Sequence, residues 1–411
     1  MEVFLYLLVV FAIILIALYL KIDLGLTLII ASLSVGLFFL VAPGKILVAF
    51  GNTIIEKDKS GVFVTLELIA ILFLISLLEV VMRKSGAFDR LLGSIGFLIK
   101  DRRKVAAFFP VFLGTLPSAG GARFSAPLTE KAAEGLNLSA EKKGFINFWF
   151  RHIWEPVFPL YPGIIFAATL AHVSLGDLNK YQWVYFVAMP VIGWIIAFWG
   201  VPKLIKHGDT DKNSGQHIIS LSEGIFPIIF IIVAVLIFQQ PLIFSLFVVV
   251  AAQLFIYRIS GKNLMKHLRE AFSINVVMLI IGVMFFKNML EVSGAIDSII
   301  VFFTVLNLPL TILLFTMPFI VGLLTGVVQA FVAITFPLLL PLITTDGVVS
   351  LPMLSFAFMS GYYGVLLSPV HLCYLLTCEY FKTDINRSYK YLFIAIPFML
   401  ALGLLILKIN K

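Results

Sequence analysis

Charge is scarce in this chain. Asp, Glu, Lys and Arg make up 13% of its 411 residues, about half the share of an ordinary soluble domain. That excludes a globule with a water-facing surface all round. Acids are the scarcer sign, 22 against 30 Lys and Arg, which leaves a net charge of +8. The excess does not mark a nucleic-acid binder, because the bases sit in short loops between apolar runs. Cysteine is nearly absent. Cys373 and Cys378 lie five apart in one apolar run, which excludes a disulfide framework and gives no metal-ligand spacing along the chain. No HExxH, no GxSxG and no pair of aspartates within an apolar run is present, so neither enzyme chemistry nor a cofactor is expected. After Met1-Glu2 there is no basic stretch and no A-x-A site, so the first apolar run is expected to be retained rather than cleaved. The alternating ten-residue segments of a β-barrel are missing too.

What the chain has instead is apolar length: 61% hydrophobic residues and a mean hydropathy of +1.08. This predicts an all-α polytopic membrane protein. Ten spans are expected, at about 3–20, 24–42, 62–82, 144–172, 183–202, 223–238, 242–257, 273–290, 352–380 and 391–408. Two apolar segments remain, 105–134 and 308–344. Each is interrupted midway, and each arm is far shorter than the roughly 20 residues a bilayer needs. Both fit re-entrant hairpins, preceded by short amphipathic stretches near 87–99 and 294–306. Of the 30 Lys and Arg, 21 fall on one side of these spans and 7, Lys287 among them, on the other; Arg123 and Arg151 fall inside apolar segments. By the positive-inside rule both termini lie outside a prokaryotic cytoplasmic (inner) membrane, the first hairpin opens to the cytoplasm and the second opens outward.

Opposite hairpins imply an inverted repeat. Ser85-Gly86-Ala87-Phe88-Asp89 recurs 208 residues later as Ser293-Gly294-Ala295-Ile296-Asp297. Phe112-Leu113-Gly114 aligns with Ile320-Val321-Gly322 at the same offset, and Ala126-Pro127-Leu128 with Phe336-Pro337-Leu338 at 210. The halves are then 1–205 and 223–411, joined by a polar cytoplasmic linker over 206–222. Each half has five spans, an odd number, so the copies insert in opposite senses. Inverted repeats of this kind suit transport, with the substrate held near the midplane.

Two five-span halves, each with three spans, a re-entrant hairpin, a broken span and a closing span, resemble the ion transporter superfamily. That group includes divalent-anion/sodium symporters, citrate transporters, gluconate permeases and some sodium/proton antiporters. The ten-span length and the paired SGA-[FI]-D segments are most similar to a prokaryotic branch of it. The resemblance implies alternating access, a mobile unit of hairpins and broken spans, and a scaffold that forms a homodimer. The Ser-Asn-Thr signatures of the well-known symporters do not occur at the hairpin tips. Pro117-Ser118-Ala119-Gly120-Gly121 and Leu324-Thr325-Gly326-Val327-Val328-Gln329 stand in their place.

The candidate site residues follow from these breaks. At the first tip Ser118, Gly120 and Gly121 let the backbone approach a ligand, and Arg123 offers a fork for a carboxylate, as ligand or as structural counter-ion. At the second tip Thr325, Gly326 and Gln329 offer neutral oxygens suited to Na⁺, near Thr325 and Gln329. In the first broken span Arg151, His152 and Glu155 share a face before Pro156, Pro159 and Pro162. Glu155 and His152 are candidate ion-coupling groups, or Glu155 simply pairs with Arg151. In the second broken span Ser368, Pro369 and His371 mirror Glu155-Pro156. Glu79 is read as reaching the cytoplasmic interface, and Glu67 as a contact between repeats or an ion-coupling group. The expected function is uptake of a small organic or inorganic anion coupled to Na⁺ or H⁺, with sodium/proton antiport as the alternative.

Overall fold

The computed structural model describes residues 2–57, 61–87, 90, 93–94, 99–115, 121–205, 214–296 and 308–410. Its described part is built of eighteen α-helices and one two-stranded β-hairpin, an all-α architecture. The first nine helices are α1 (Glu2–Tyr19), α2 (Leu24–Phe38), α3 (Pro43–Ile55), α4 (Val64–Lys84), α5 (Arg102–Leu113), α6 (Ala122–Ala132), α7 (Ala140–Arg151), α8 (Pro162–Leu170) and α9 (Leu175–Phe198). The next nine are α10 (Ser214–Ile232), α11 (Leu242–Ile256), α12 (Gly261–Ala271), α13 (Ile274–Val292), α14 (Leu310–Thr325), α15 (Val328–Leu339), α16 (Leu351–Leu366), α17 (Leu372–Phe381) and α18 (Ile385–Ile409). The strands β1 (Thr344–Thr345) and β2 (Val348–Val349) pair antiparallel, Thr344 with Val349.

Four helices, α4, α9, α13 and α18, are long and apolar enough to cross a membrane unaided. Most of the other expected spans are apolar helices of 10–17 residues. The 144–172 and 352–380 segments each divide into two helices, α7–α8 and α16–α17. The sequence reading passed over α3 and α12, whose polar faces lower their mean hydropathy although Pro43 opens α3 at the first turn. The linker expected over 206–222 is helical from Ser214, and a π-helical turn at Val233–Ile237 extends α10. Residues 206–213 and most of the amphipathic stretches near 87–99 and 294–306, with Asp89 and Asp297, lie outside the described residues.

The Ser-Gly-Ala pairs have a physical reason. Ser85 caps α4 with its N–H on Val81 O at 2.9 Å, and Ser293 caps α13 with its N–H on Met289 O at 3.0 Å. Each serine hydroxyl donates back to a helix carbonyl at 3.1 Å, Met82 in one case and Leu290 in the other. Gly86 and Gly294 follow at φ +72° and +70°, a left-handed geometry open to glycine because it lacks Cβ.

Packing follows pairs of helices. α2 lies along α13, and α4 along α11; α5 packs on α7, and α14 on α16. α6 touches α17, and α15 touches α8. Lys287, counted above on the outer side of the spans, lies within α13, buried, where Nζ meets Glu56 Oε1 at 2.6 Å. Changing Lys287 to Met leaves the half-buried Glu56 without its cation. A loss of roughly 2 kcal/mol is expected, between the values for exposed and fully buried pairs. Thermal unfolding in detergent measures it, and the double change of Lys287 to Met and Glu56 to Gln should recover most of the loss.

Candidate functional site

The site is made by chain breaks. α7 ends at Arg151, where the His152 N–H closes the last turn on Trp149 O at 3.1 Å. Pro156, Pro159 and Pro162 then deny the ladder three donors, so residues 152–161 run as turns until Pro162 opens α8. In the other half α16 ends at Leu366, Pro369 follows, and His371 is the N-cap of α17. A third break is the two-residue turn Gly326-Val327, with Gly326 left-handed at φ +65° between α14 and α15.

These breaks meet around a cavity of roughly 460 Å³. α4 supplies one wall with Leu72, Ile75, Ser76 and Glu79. The first broken segment gives Arg151, Glu155, Tyr161, Pro162 and Gly163; the α14–α15 turn gives Gly326 to Gln329; the second broken segment gives Val370, His371, Leu372 and Cys373. Three helices therefore begin at this cavity, α8, α15 and α17, and no side chain caps any of the three. The free N–H groups and positive dipole ends of all three face one volume. The formal charges on the wall are Arg151, Glu79 and Glu155.

The first broken segment is held by the end of α5. Trp154 Nε1 donates to Val111 O at 2.7 Å, Arg151 Nη1 to Leu113 O at 2.9 Å, and Tyr161 OH to Gly114 O at 2.6 Å. The last carbonyls of α5, which have no partner within their own helix, are satisfied by the segment they position. Asn147, on the buried face of α7, ties three elements together. Its amide donates to Ala122 O at 3.1 Å and Thr377 Oγ1 at 3.0 Å, and its oxygen accepts from Ser125 Oγ at 2.6 Å.

The two breaks also meet each other. His152 Nε2 lies 3.1 Å from His371 Nε2 and 3.8 Å from Glu155 Oε1. His152 Nδ1 donates to Phe148 O at 2.6 Å; the carbonyl can only accept, so Nδ1 carries the proton and the lone pair is on Nε2. Tyr362 OH donates to the carbonyl of His152. Beside the histidines stands Cys373, and these three residues are the metal-capable group among the described residues.

Glu155, His371, Gly326 and Gln329 line the cavity, and His152 lies behind its wall, 1% exposed. Ser368 is fully buried; a Cβ on Gly326 would lie 2.9 Å from its hydroxyl oxygen. Pro156 is buried in the first break and Pro369 is exposed in the second. Thr325 Oγ1 bonds back to Val321 O at 2.8 Å and does not line the cavity. Gly121 is the buried N-cap of α6, whereas Arg123, two residues on, is exposed and away from the cavity wall. Ser118 and Gly120 lie outside the described residues. Glu67, in the first turn of α4, is half-buried and does not line the cavity. Arg151, Glu79, Tyr161 and Cys373 line the cavity although the sequence reading gave them no binding role. For Arg151, Tyr161 and Cys373 the one sequence signal is proximity to a proline break, which does not say which neighbours turn inward; Glu79 lies near no proline.

A family profile described as a protein of unknown function (DUF401) matches residues 3–410, so the chain belongs to that family. No curated protein matches the chain.

Proposed function

We propose that this DUF401 member is a secondary active transporter that holds a small anion in the cavity between two inverted halves and moves it by alternating access, coupled to Na⁺ or H⁺. One observation carries the reading: three uncapped helix N-termini and the Arg151 guanidinium converge on a single cavity between two broken helices and a helical hairpin. Helix starts attract anions, and a guanidinium in a confined site binds carboxylate in a forked geometry. Irregular backbone at membrane depth is tolerated where it lines such a cavity.

The order and packing of the helices support two inverted halves. Among the described residues nine helices are followed by nine of like succession, and the four long ones occupy the fourth and ninth places of each set. Contacts exchange between the sets: α2 with α13 as α11 with α4, and α6 with α17 as α15 with α8. Ion pairs exchange likewise. Glu56 after α3 meets Lys287 of α13, and Glu270 of α12 meets Arg83 of α4 at 2.8 Å. The hairpin arms of 11–16 residues are each about 16–24 Å long, short of a ~30 Å core, as re-entrant segments must be. The likeness to the ion transporter superfamily, with both termini outside an inner membrane, belongs to the same proposal.

The chain reconstituted in liposomes is expected to accumulate a labelled carboxylate or inorganic anion only under an imposed Na⁺ or H⁺ gradient. A panel in which no anion accumulates would sink the reading. A second reading, sodium/proton antiport, draws on the His371–His152–Glu155 series, with steps of 3.1 and 3.8 Å. A pH-sensitive dye in everted vesicles separates the two: a Na⁺-induced signal with no anion present favours antiport.

A further inference from the structure

Of the groups around the cavity, two histidines and a cysteine have no assigned part in anion binding. One ligand atom from each of His152, His371 and Cys373 lies within 4.8 Å of the others. We propose that these three residues form a site for one divalent transition-metal ion of the zinc class, set in the wall of the cavity, with Glu155 at the fourth position.

Donor identity comes first. Two imidazoles with a thiolate make a borderline-soft set, which selects zinc-class ions over Na⁺, Mg²⁺ or Ca²⁺. The spacing agrees. Donors at ~2.0–2.3 Å from a tetrahedral ion are about 3.3–3.6 Å from one another. The two Nε2 atoms are 3.1 Å apart, and Glu155 Oε1 is 3.8 Å from His152 Nε2. Cys373 needs about 1 Å of adjustment to reach a Zn–S distance of ~2.3 Å, a movement within reach of a small turn of its side chain.

The orientation of His152 is an independent sign. Its Nδ1–H is fixed on Phe148 O at 2.6 Å, so Nε2 presents a lone pair. Metal-bound histidines are held in this way, by a carbonyl or carboxylate on the nitrogen that faces away from the ion. His371, 7% exposed, aims its own Nε2 at the same point, 3.1 Å from that of His152.

Position in the fold gives the site a consequence. His152 and Glu155 belong to the first broken segment, and His371 and Cys373 to the second. An ion held by all four would tie the two breaks together. With the thiolate and the carboxylate it is formally neutral, which leaves Arg151 and Glu79 as the formal charges on the wall beside the helix starts. Binding requires deprotonated ligands and should therefore release protons.

Cobalt titration of the full chain in detergent, after removal of metals with a chelator, tests the site apart from transport. The wild type should take up a single equivalent of Co²⁺ with tetrahedral visible bands and a near-ultraviolet thiolate-to-cobalt band, and Zn²⁺ should displace it. Cys373→Ser should remove the thiolate band, and both Cys373→Ser and His371→Ala should weaken Zn²⁺ binding by at least ~100-fold, more than the loss of an outer-shell partner does. Cys378→Ser, which changes the other cysteine, should leave binding intact. Because serine is nearly isosteric, Cys373→Ser should unfold at the metal-free wild-type temperature and lose only the shift that Zn²⁺ produces. No saturable band in the wild type, or a thiolate band that survives Cys373→Ser, overturns the proposal. Failure of anion uptake alone leaves this result unaffected.

Discussion

Arg151→Gln is expected to reduce anion binding by roughly 30- to 150-fold, the loss of about 2–3 kcal/mol for a hydrogen bond to a charged group in a confined site. Arg151 ends α7, lines the cavity and is anchored by Leu113 O at 2.9 Å. The cation stays at the cavity wall. Arg151→Lys keeps the charge but gives up the planar fork, and should recover only part of the affinity. Arg123→Gln is the informative control. Arg123 is exposed and does not line the cavity, so its change should leave affinity within about twofold, the ordinary range of a surface substitution. Isothermal titration in detergent against the anion found in liposomes reads all three. The opposite order, with Arg123→Gln crippled and Arg151→Gln intact, would return the anion site to the first hairpin tip.

Gly322→Ala and Gly114→Ala should each damage folding severely. A Cβ on Gly322 would lie 2.2 Å from the carbonyl oxygen of Gly361 on α16, and a Cβ on Gly114 2.1 Å from the carbonyl oxygen of Arg151. Both obstacles are backbone, so no rotamer change relieves them. The helices must separate, at a cost in the upper part of, or above, the ~1–3 kcal/mol usual for overpacking. Gly114→Ala should also move Arg151 and Tyr161, since Tyr161 OH bonds to Gly114 O at 2.6 Å. Each variant should show a fall in the midpoint of thermal aggregation and a poor monodisperse yield. An alanine at Gly51, where a Cβ meets nothing within 4 Å, serves as the neutral comparison. Unchanged midpoints for both glycines would mean that these helix crossings are looser than the distances say.

The same two glycines mark how far the sequence could be read. Phe112-Leu113-Gly114 and Ile320-Val321-Gly322 stand 208 residues apart, and each ends where one helix meets the backbone of a broken one. The recurrence was visible because a close approach permits only glycine, and the residue type records the constraint. Ser85-Gly86 and Ser293-Gly294 were legible for a like reason, a helix stop that needs a left-handed residue. The breaks at 152–161 and 367–371 were legible because proline removes a donor wherever it stands. By contrast α3 and α12 were missed, since a reading tuned to long apolar runs passes over short helices with a polar face.

Side-chain direction was the part the sequence could not supply. Arg123 and Arg151 look alike in the chain, each a lone cation in an apolar stretch. Which of them faces the cavity depends on how α6 and α7 are rotated about their axes, and that is set by Asn147, Ser125 and Thr377 packing between elements far apart in the chain. Cys373 showed no metal spacing along the sequence, because its partner His152 comes from the other half, 219 residues before His371. The sequence by itself determined the apolar helices, their stops and the places where they break, all consequences of local backbone chemistry. Only the tertiary structure decided which broken ends meet and which side chains they turn toward one another, since those contacts are made between residues that share no local constraint.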